Sequence, residues 1–555
     1  MTPALAKRQG SIHGILFVFM VACVVATISA CQTQKKEPVV VSAIVPTNSD
    51  KPSILQLVDL GGLDIQNGGG VPVHFHDSEF SPGEWVLVRG KNLGVSSVSV
   101  DGLRVPVKQY FGNYPLFKIP VGLSPVNEHT LVIENEYGES RSTFTTKHYL
   151  FANDLDDSKT HILQVDRNSE GFIREEWLEL ESPADRPLFT IVSNDSRFLY
   201  QMDVGKRSGE SLMDEADTYP VIVRTFHLAA PQRPEKVAES ELAVGSVPID
   251  SHLSGDNTLL LLGKQSFTLV DAADPLSLST LSHTALPFNE DGSTTYVDAI
   301  FLDNDKKLAL LETYSNRVVL FDVSDRASPK LIDEVQLLPS KTVALSIDLE
   351  PVPDNPTAFW VLEGPNYRVA GSKLADMYKR IVLDRDISES RSLLSQLQRV
   401  AIADNKLVLD RRVSLPEGFA SYFSVFGEDG RLYITQTKTD FFNVDMEEGS
   451  PKTILKRVGD LVWENMSLGR VVAFDLETEA VETISRGVGI YYHIVDVPGI
   501  GQVFTLLKFG PSFSFPYLTP NWGVGVKTTG TYAKRKMNRR AAFPPYSIGF
   551  IAYQY

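Results

Sequence analysis

Val319-Leu320-Phe321-Asp322-Val323-Ser324-Asp325, followed by Pro329-Lys330-Leu331-Ile332-Asp333-Glu334-Val335, carries the pattern on which the architecture of the chain is built. An apolar strand stops at an aspartate-centred turn, and a second, half-polar strand leaves it. The same order returns in Leu269-Val270-Asp271-Ala272-Ala273-Asp274-Pro275 before Leu278-Ser279-Thr280-Leu281, and in Val472-Ala473-Phe474-Asp475-Leu476-Glu477-Thr478 before Ala480-Val481-Glu482-Thr483-Ile484. Thr225-Phe226-His227-Leu228-Ala229-Ala230-Pro231 is a variant in which His227 and Pro231 replace the aspartates. Ahead of these units lie polar turns that feed buried strands: Asp256-Asn257 before Thr258–Leu262, Asp303-Asn304-Asp305 before Leu308–Leu311, and Glu428-Asp429-Gly430 before Leu432–Ile434. A polar turn into a buried strand, then a second hairpin, is the grammar of a four-stranded propeller blade.

Blades are expected near 187–244, 246–287, 293–338, 341–415, 418–487 and 488–555. The count is six, with seven or eight left open because two blades contain insertions, near 364–400 and 509–546. A strand such as Trp177-Leu178-Glu179-Leu180 is expected to close the ring on Ser547–Tyr553, removing the exposed edges. A run of separate sandwiches is the rival architecture. The repeats resemble the bacterial Val-Ile-Val-Asp and Asp-x-Ser-Asp-Pro type of propeller, grouped loosely with WD40-like folds. They lack the Gly-His and Trp-Asp pairing of true WD40 blades.

Residues 52–150 read differently. Trp85-Val86-Leu87-Val88-Arg89-Gly90, Val98-Ser99-Val100, the turn Asp101-Gly102 and Leu131-Val132-Ile133-Glu134-Asn135 are short alternating runs separated by turn residues, as in an antiparallel sandwich. The opening Pro82-Gly83, the strand entering Lys91-Asn92-Leu93-Gly94, Ile119-Pro120 and the terminal Asn135-Glu136-Tyr137-Gly138 resemble the IPT/TIG immunoglobulin-like family. That resemblance implies a spacer or protein-binding module. The expected fold is therefore all-β, an Ig-like sandwich followed by a propeller spanning 151–555.

The first residues give an address. Lys7 and Arg8 precede an apolar run from Ile15 to Ala26, which ends in Ile28-Ser29-Ala30-Cys31. The order is that of a secretory signal, and the run is short for a span of about 20 residues. Ile28–Cys31 resembles the bacterial lipobox, which implies removal of residues 1–30 and acylation of Cys31. The other cysteine, Cys23, lies in the removed segment, so the mature chain is left without a disulfide partner. Multiple acyl chains tether durably where one does not, and Gln32 favours the outer membrane by analogy. Residues 31–51 read as a tether.

Composition narrows the partners. The 555-residue chain carries 53 basic and 69 acidic residues, a formal charge of −16 that leaves nucleic acid a poor partner. The insertion at 509–546 is a local exception. Phe513, Phe515, Tyr517 and Trp522 precede the basic run Lys534, Arg535, Lys536, Arg539 and Arg540, a combination that can stack on a ring or grip a carboxylate or phosphate. An envelope protein or anionic glycolipid is the expected contact. The insertion at 364–400 contains Leu393, Leu394 and Leu397 at helical spacing and is read as a helix lying on the wheel's face.

Catalytic signatures are sparse. His74-Phe75-His76-Asp77 lacks a third ligand at metal-site spacing, and Asp303-Asn304-Asp305 lacks the glycine and distant glutamate of a calcium loop. Neither Gly-x-Ser-x-Gly nor His-Glu-x-x-His occurs. The five tryptophans do not recur once per blade, which disfavours a quinone-cofactor dehydrogenase. His227, His252, His283 and His493 read as core or loop residues. No metal or cofactor is expected. The leading expectation is a lipid-anchored, non-enzymatic protein-binding scaffold for envelope assembly or adhesion. A propeller-type hydrolase or lyase acting on an envelope or extracellular polymer is the second reading, and a periplasmic sensor or assembly factor of an outer-membrane machine the third.

Overall fold

The computed structural model describes residues 50–60, 80–94, 96–110, 114–125, 127–154, 159–165, 173–178, 187–204, 219–244, 248–263, 265–287, 296–313, 316–337, 344–365, 395–416, 419–438, 469–487, 490–514, 517–528 and 551–553. Every regular element among them is a β-strand.

Eight strands form the first unit: β1 (Ser53–Asp59), β2 (Trp85–Lys91), β3 (Ser97–Val100), β4 (Leu103–Val105), β5 (Val107–Tyr110), β6 (Tyr114–Lys118), β7 (Glu128–Asn135) and β8 (Gly138–Thr145). They make two four-stranded antiparallel sheets, β1-β2-β6-β5 and β4-β3-β7-β8. Val86, Val88, Val98, Val100, Phe117, Leu131, Ile133 and Phe144 fill the space between them. Period-two alternation puts these residues on the inner faces. The β3–β4 turn falls at the Asp-Gly pair, with Asp101 and Gly102 both left-handed at φ 49° and 84°.

The chain then enters a ring. Its strands are β9 (His148–Asp154), β10 (Lys159–Val165) and β11 (Ile173–Leu178); β12 (Pro187–Val192), β13 (Phe198–Val204), β14 (Tyr219–His227) and β15 (Glu235–Val244); β16 (Asp250–Leu253), β17 (Thr258–Leu262), β18 (Ser266–Asp271) and β19 (Ser279–Ala285). They continue as β20 (Tyr296–Leu302), β21 (Lys307–Glu312), β22 (Arg317–Asp322) and β23 (Lys330–Gln336); β24 (Ala344–Pro351), β25 (Ala358–Pro365), β26 (Gln396–Ala403) and β27 (Lys406–Ser414). The last are β28 (Phe419–Phe426), β29 (Leu432–Lys438), β30 (Gly469–Phe474) and β31 (Val481–Gly487), then β32 (Ile490–Val497), β33 (Gly501–Ser514), β34 (Tyr517–Thr528) and β35 (Ile551–Tyr553).

Five consecutive quartets form antiparallel sheets in chain order, β32-β33-β34 forms another, and β11-β10-β9-β35 joins the two ends of the chain. Seven sheets are thus described from β9 onward, against an expected count of six with seven or eight left open. The inner strands touch in a closed circle: β12, β16, β20, β24, β28, β32, β35 and back to β12. An apolar core fills every interval around this circle. Strands such as β17, Thr-Leu-Leu-Leu-Leu, are buried at every position because both faces of their sheet are covered.

Ring closure corrects the expected pairing. Ile551, Ala552 and Tyr553 pair with Ala152, Phe151 and Leu150, whereas Trp177 lies on β11, at the far edge of that sheet. The helix expected in the 364–400 insertion is also corrected at its end. Gln396 and Leu397 begin strand β26, and Leu397 is fully buried; Leu393 and Leu394 lie outside the described residues. The sandwich sits against turns at one end of the ring. Lys118 Nζ is 3.6 Å from Asp195 in the β12–β13 turn, and Ser124 Oγ donates to the Pro498 carbonyl in the β32–β33 turn at 3.2 Å. Gly83 lies against the Asp195 carbonyl so closely that a Cβ would stand 1.9 Å from it.

Candidate active site

Aspartates occupy two kinds of position in the ring. At the turn end, Asp271, Asp322 and Asp475 each accept the backbone N–H two residues on, from Ala273 at 2.9 Å, Ser324 at 3.0 Å and Glu477 at 2.9 Å. This is the local bond that lets aspartate initiate a turn. His227 fills the same role with a different atom, its Nδ1 accepting from Ala229 N–H at 3.1 Å. Asp303-Asn304-Asp305 is likewise a turn, with all three residues left-handed, and Asp305 accepts from Gly255 N–H at 2.7 Å.

The second kind faces the axis. Asp250, Asp298 and Asp348 stand on three successive inner strands, opposite Leu262, Leu311 and Leu362 of the adjoining strands. The last two come just after β-bulges, beyond Tyr296 in β20 and beyond Ser346 in β24. A bulge adds one residue and re-aims the side chains beyond it. The inner strand of each blade has an edge with no fifth strand to pair it, so its amides need acceptors. Carboxylates of the preceding blade supply them. Asp298 accepts from Ala299 N–H at 2.7 Å and from Leu349 N–H of the next blade. Asp348 accepts from Ser424 N–H at 2.8 Å and from Ser424 Oγ, and Glu350 accepts from Phe426 N–H at 3.1 Å.

His252 completes the group. Its Nε2 lies 2.6 Å from Asp250 Oδ2 and 3.3 Å from Asp298 Oδ1. The His252 side chain is 35% exposed, against 16% for Asp250 and 11% for Asp298, so the imidazole retains access to solvent while its partners are enclosed. Asp250, His252 and Asp298 offer one ligand atom each within 4.8 Å of one another, a donor set that could also hold a metal ion.

These neighbours drive the ionisations apart. Burial opposes a charge on His252, but Asp250 and Asp298 outweigh it and hold the imidazole well above its ordinary value. Burial works against the Asp250 carboxylate too, and His252 overrides it, leaving the group below its usual range. Burial, with Asp250 and Asp348 adding like charge, pushes Asp298 well above the carboxylate range. Asp348 is raised by burial to about 7, and Glu350 by burial and Asp348. On β32, His493 sits within the bulge between Tyr491 and Ile494, its ring 5.2 Å from that of Phe423, which lies in the corresponding bulge of β28. Burial lowers His493 to about 4.

A second recurring position lies beside this tier. Asp203, Glu312, Glu363 and Gln436 face the inner-strand residues Pro187, Tyr296, Ser346 and Ser421, each just before a bulge. All four are buried and meet a third-strand partner: Arg224, Arg317, Gln398 and Arg470. These pairs join neighbouring strands of a blade and contribute to its assembly.

Of the residues singled out in the sequence, Phe513 lies on β33 and Tyr517 and Trp522 on β34, in a hairpin that pairs Phe513 with Leu518, Ser514 with Tyr517 and Phe509 with Trp522. Cys31, Phe515, Lys534, Arg535, Lys536, Arg539 and Arg540 lie outside the described residues, as do His74, His76 and Asp77. His227 is a buried turn residue with its ring 5.1 Å from that of Phe198, and His283 is bonded to Thr268 Oγ1 on an outer strand. His252 belongs to neither class. The signal that could have found its site is a lone aspartate at one register of three consecutive inner strands, in Asp250-Ser251-His252, Val297-Asp298-Ala299 and Ile347-Asp348-Leu349.

No family model matches the chain, and no curated protein matches it. Solved structures do. A periplasmic gluconolactonase from Pseudomonas aeruginosa is 10% identical, with 71% of this chain and 100% of that chain covered at a TM-score of 0.42. The hydrazine synthase of Kuenenia stuttgartiensis is 12% identical, over 60% of this chain and 78% of that one, at a TM-score of 0.38. Two Bacteroides proteins described as candidate 6-phosphogluconolactonases also match, with TM-scores of 0.41 and 0.44. At such identities the likeness concerns the fold. The expected non-enzymatic scaffold is corrected by the channel itself, where carboxylates and a histidine converge, a cluster which that reading lacked. The chain is similar to these proteins in being an all-β, propeller-like structure.

Proposed function

We propose that this protein is a propeller-type hydrolase whose acid–base chemistry takes place in the ring channel around His252. The observation that carries the reading is the convergence of His252 with Asp250 and Asp298, 2.6 and 3.3 Å away, beside Asp348 on the next blade. Asp250 holds the imidazole charged and fixes its orientation, the part an orienting carboxylate plays for a catalytic histidine. In the reaction, water attacks an ester or acetal carbon and passes its proton to Asp348, whose value of about 7 suits a base near neutrality. The bond to the leaving oxygen breaks, and that oxygen takes the proton of the His252 imidazolium.

The site is built on strands and fixed by backbone bonds, so its groups are preorganised. The substrate in this reading is an envelope or extracellular carbohydrate polymer or a fragment of it. Acylation at Cys31, an outer-membrane location and an IPT/TIG-type spacer at 52–150 belong to the same proposal. The two-sheet sandwich seated on the turn end of the ring supports the spacer and leaves the opposite end for substrate entry.

The test is a panel of aryl esters, aldonolactones and aryl glycosides offered to the full-length protein and to His252→Gln. Turnover of one bond class, reduced about 10²- to 10⁴-fold in the variant with its thermal melt unchanged, is the expected result. Absence of turnover across the panel, or equal turnover by the variant, overturns the reading.

A further inference from the structure

We propose that the blade β28–β31 holds an oxyanion-binding site, in which Arg470 and Arg486 take the carboxylate or phosphate group of a ligand. The proposal stands apart from the hydrolase reading and from the channel carboxylates.

In two other blades an arginine on the third strand meets a buried second-strand carboxylate: Arg224 pairs with Asp203, and Arg317 lies 3.9 Å from Glu312. In β28–β31 the second-strand position opposite Arg470 is Gln436, whose amide brings no charge. The cation stays without its usual counter-ion. Arg470 is only 7% exposed, its Nε donates to Gln436 Oε1 at 2.7 Å, and its guanidinium carbon stands 3.4 Å from the centre of the Phe419 ring. Neither contact serves Nη2, which is buried without a hydrogen-bond partner. A buried ion left in this state is costly to a fold, and an anion from outside would satisfy it.

Arg486, on β31, is the register partner of Arg470 and faces it across the sheet. Like charges placed so repel. Burial and Arg486 lower Arg470 to about 10, which leaves both guanidiniums charged at physiological pH. Arg486 is exposed, and a recess of about 250 Å³ beside it is lined by Thr483, Ile484, Ser485 and Arg486. An oxyanion seated between the two arginines offsets their repulsion and gives Nη2 an acceptor, through the planar fork that suits guanidinium to carboxylate and phosphate. Its place in the ring leaves it clear of the sandwich. Phe419 opens β28, Arg470 lies near the start of β30 and Arg486 near the end of β31, whereas the sandwich meets Asp195 and Pro498 in first-to-second-strand turns at the other end.

The experiment titrates inorganic phosphate and glucuronate calorimetrically into the full-length protein at constant ionic strength. Millimolar or tighter binding of at least one probe is expected, and the stronger of the two tells a phosphate ligand from a carboxylate one. Arg486→Gln, at an exposed position, should weaken that binding at least fivefold. Gln436→Glu supplies the internal carboxylate found in the other blades and should weaken it at least tenfold. Absence of binding by both probes at tens of millimolar overturns the proposal, as does unchanged affinity in either variant; if Gln436→Glu does not fold, Arg486→Gln decides alone. Binding by a protein that hydrolyses nothing in the substrate panel supports this site and counts against the hydrolase reading alone.

Discussion

The turn aspartates and the channel aspartates are the same residue put to opposite uses. Asp322, at the turn end, accepts from Ser324 N–H and from Lys307 Nζ at 2.8 Å, and the Lys307 bond holds it down to about 2. Asp348, on the axis, also accepts two bonds, yet burial carries it up to about 7. What separates them is surroundings more than hydrogen bonding. Asp322 has a cation and water beside it, whereas Asp348 has other carboxylates and little solvent. The first kind of site shapes the chain; the second leaves an ionisation poised for chemistry.

The sharpest way to break this contrast is to neutralise one member of each kind. Asp250→Asn should lower kcat/KM for the panel substrate about 10²- to 10⁴-fold, because His252 then loses the partner that keeps it charged and oriented. Asp322→Asn should leave kcat/KM unchanged. Equal losses in the two variants would dissolve the distinction.

His227 tests the turn role in acid. It stands where other blades place aspartate, and its Nδ1 can accept from Ala229 only while the ring is neutral. Burial and Arg197 lower it to about 4. Between its ordinary value of about 6.5 and about 4, the unfolded chain takes up the proton first, so stability falls as pH falls. The loss should reach about 3 kcal/mol. Denaturant titrations at pH 7 and pH 4.5 should show it, and His227→Asn should remove most of it.

Asp348 predicts the opposite slope. Its folded value lies above its unfolded one, so its contribution is complete below the ordinary carboxylate range and is lost as pH rises to about 7. The slope is at most about 1.4 kcal/mol per pH unit and smaller where neighbouring carboxylates share the proton. Asp348→Asn should flatten that limb of a stability–pH curve. The smallest effect is expected at the turn. Asp322→Asn should cost about 1 kcal/mol at neutral pH, with a wild-type advantage that fades as pH falls from about 4 toward about 2.

The turns are legible in the sequence because their cause is local. Asp271-Ala272-Ala273 and Asp322-Val323-Ser324 make their bonds within three residues, so the sequence pattern and the structure are the same fact. His252 reads as a core or loop residue because its partners are Asp250, two residues away, and Asp298, a blade away. An aspartate alone in an apolar strand looks like the polar half of an alternation until the bulges of β20 and β24 are known. Counting blades along the chain falls short at one place for a related reason: a sheet made of β9, β10, β11 and β35 has members from both ends of the chain.

By itself, then, the sequence determined the strands, their Asp-centred turns and the buried second strand of each blade, because propensity, burial pattern and turn chemistry act over a few residues. The closing sheet, the shared register of Asp250, Asp298 and Asp348, and the ionisation of His252 were decided only by tertiary structure. Each depends on the ring bringing separate strands to one axis, where burial and facing charges act through space and leave no mark on the order of residues.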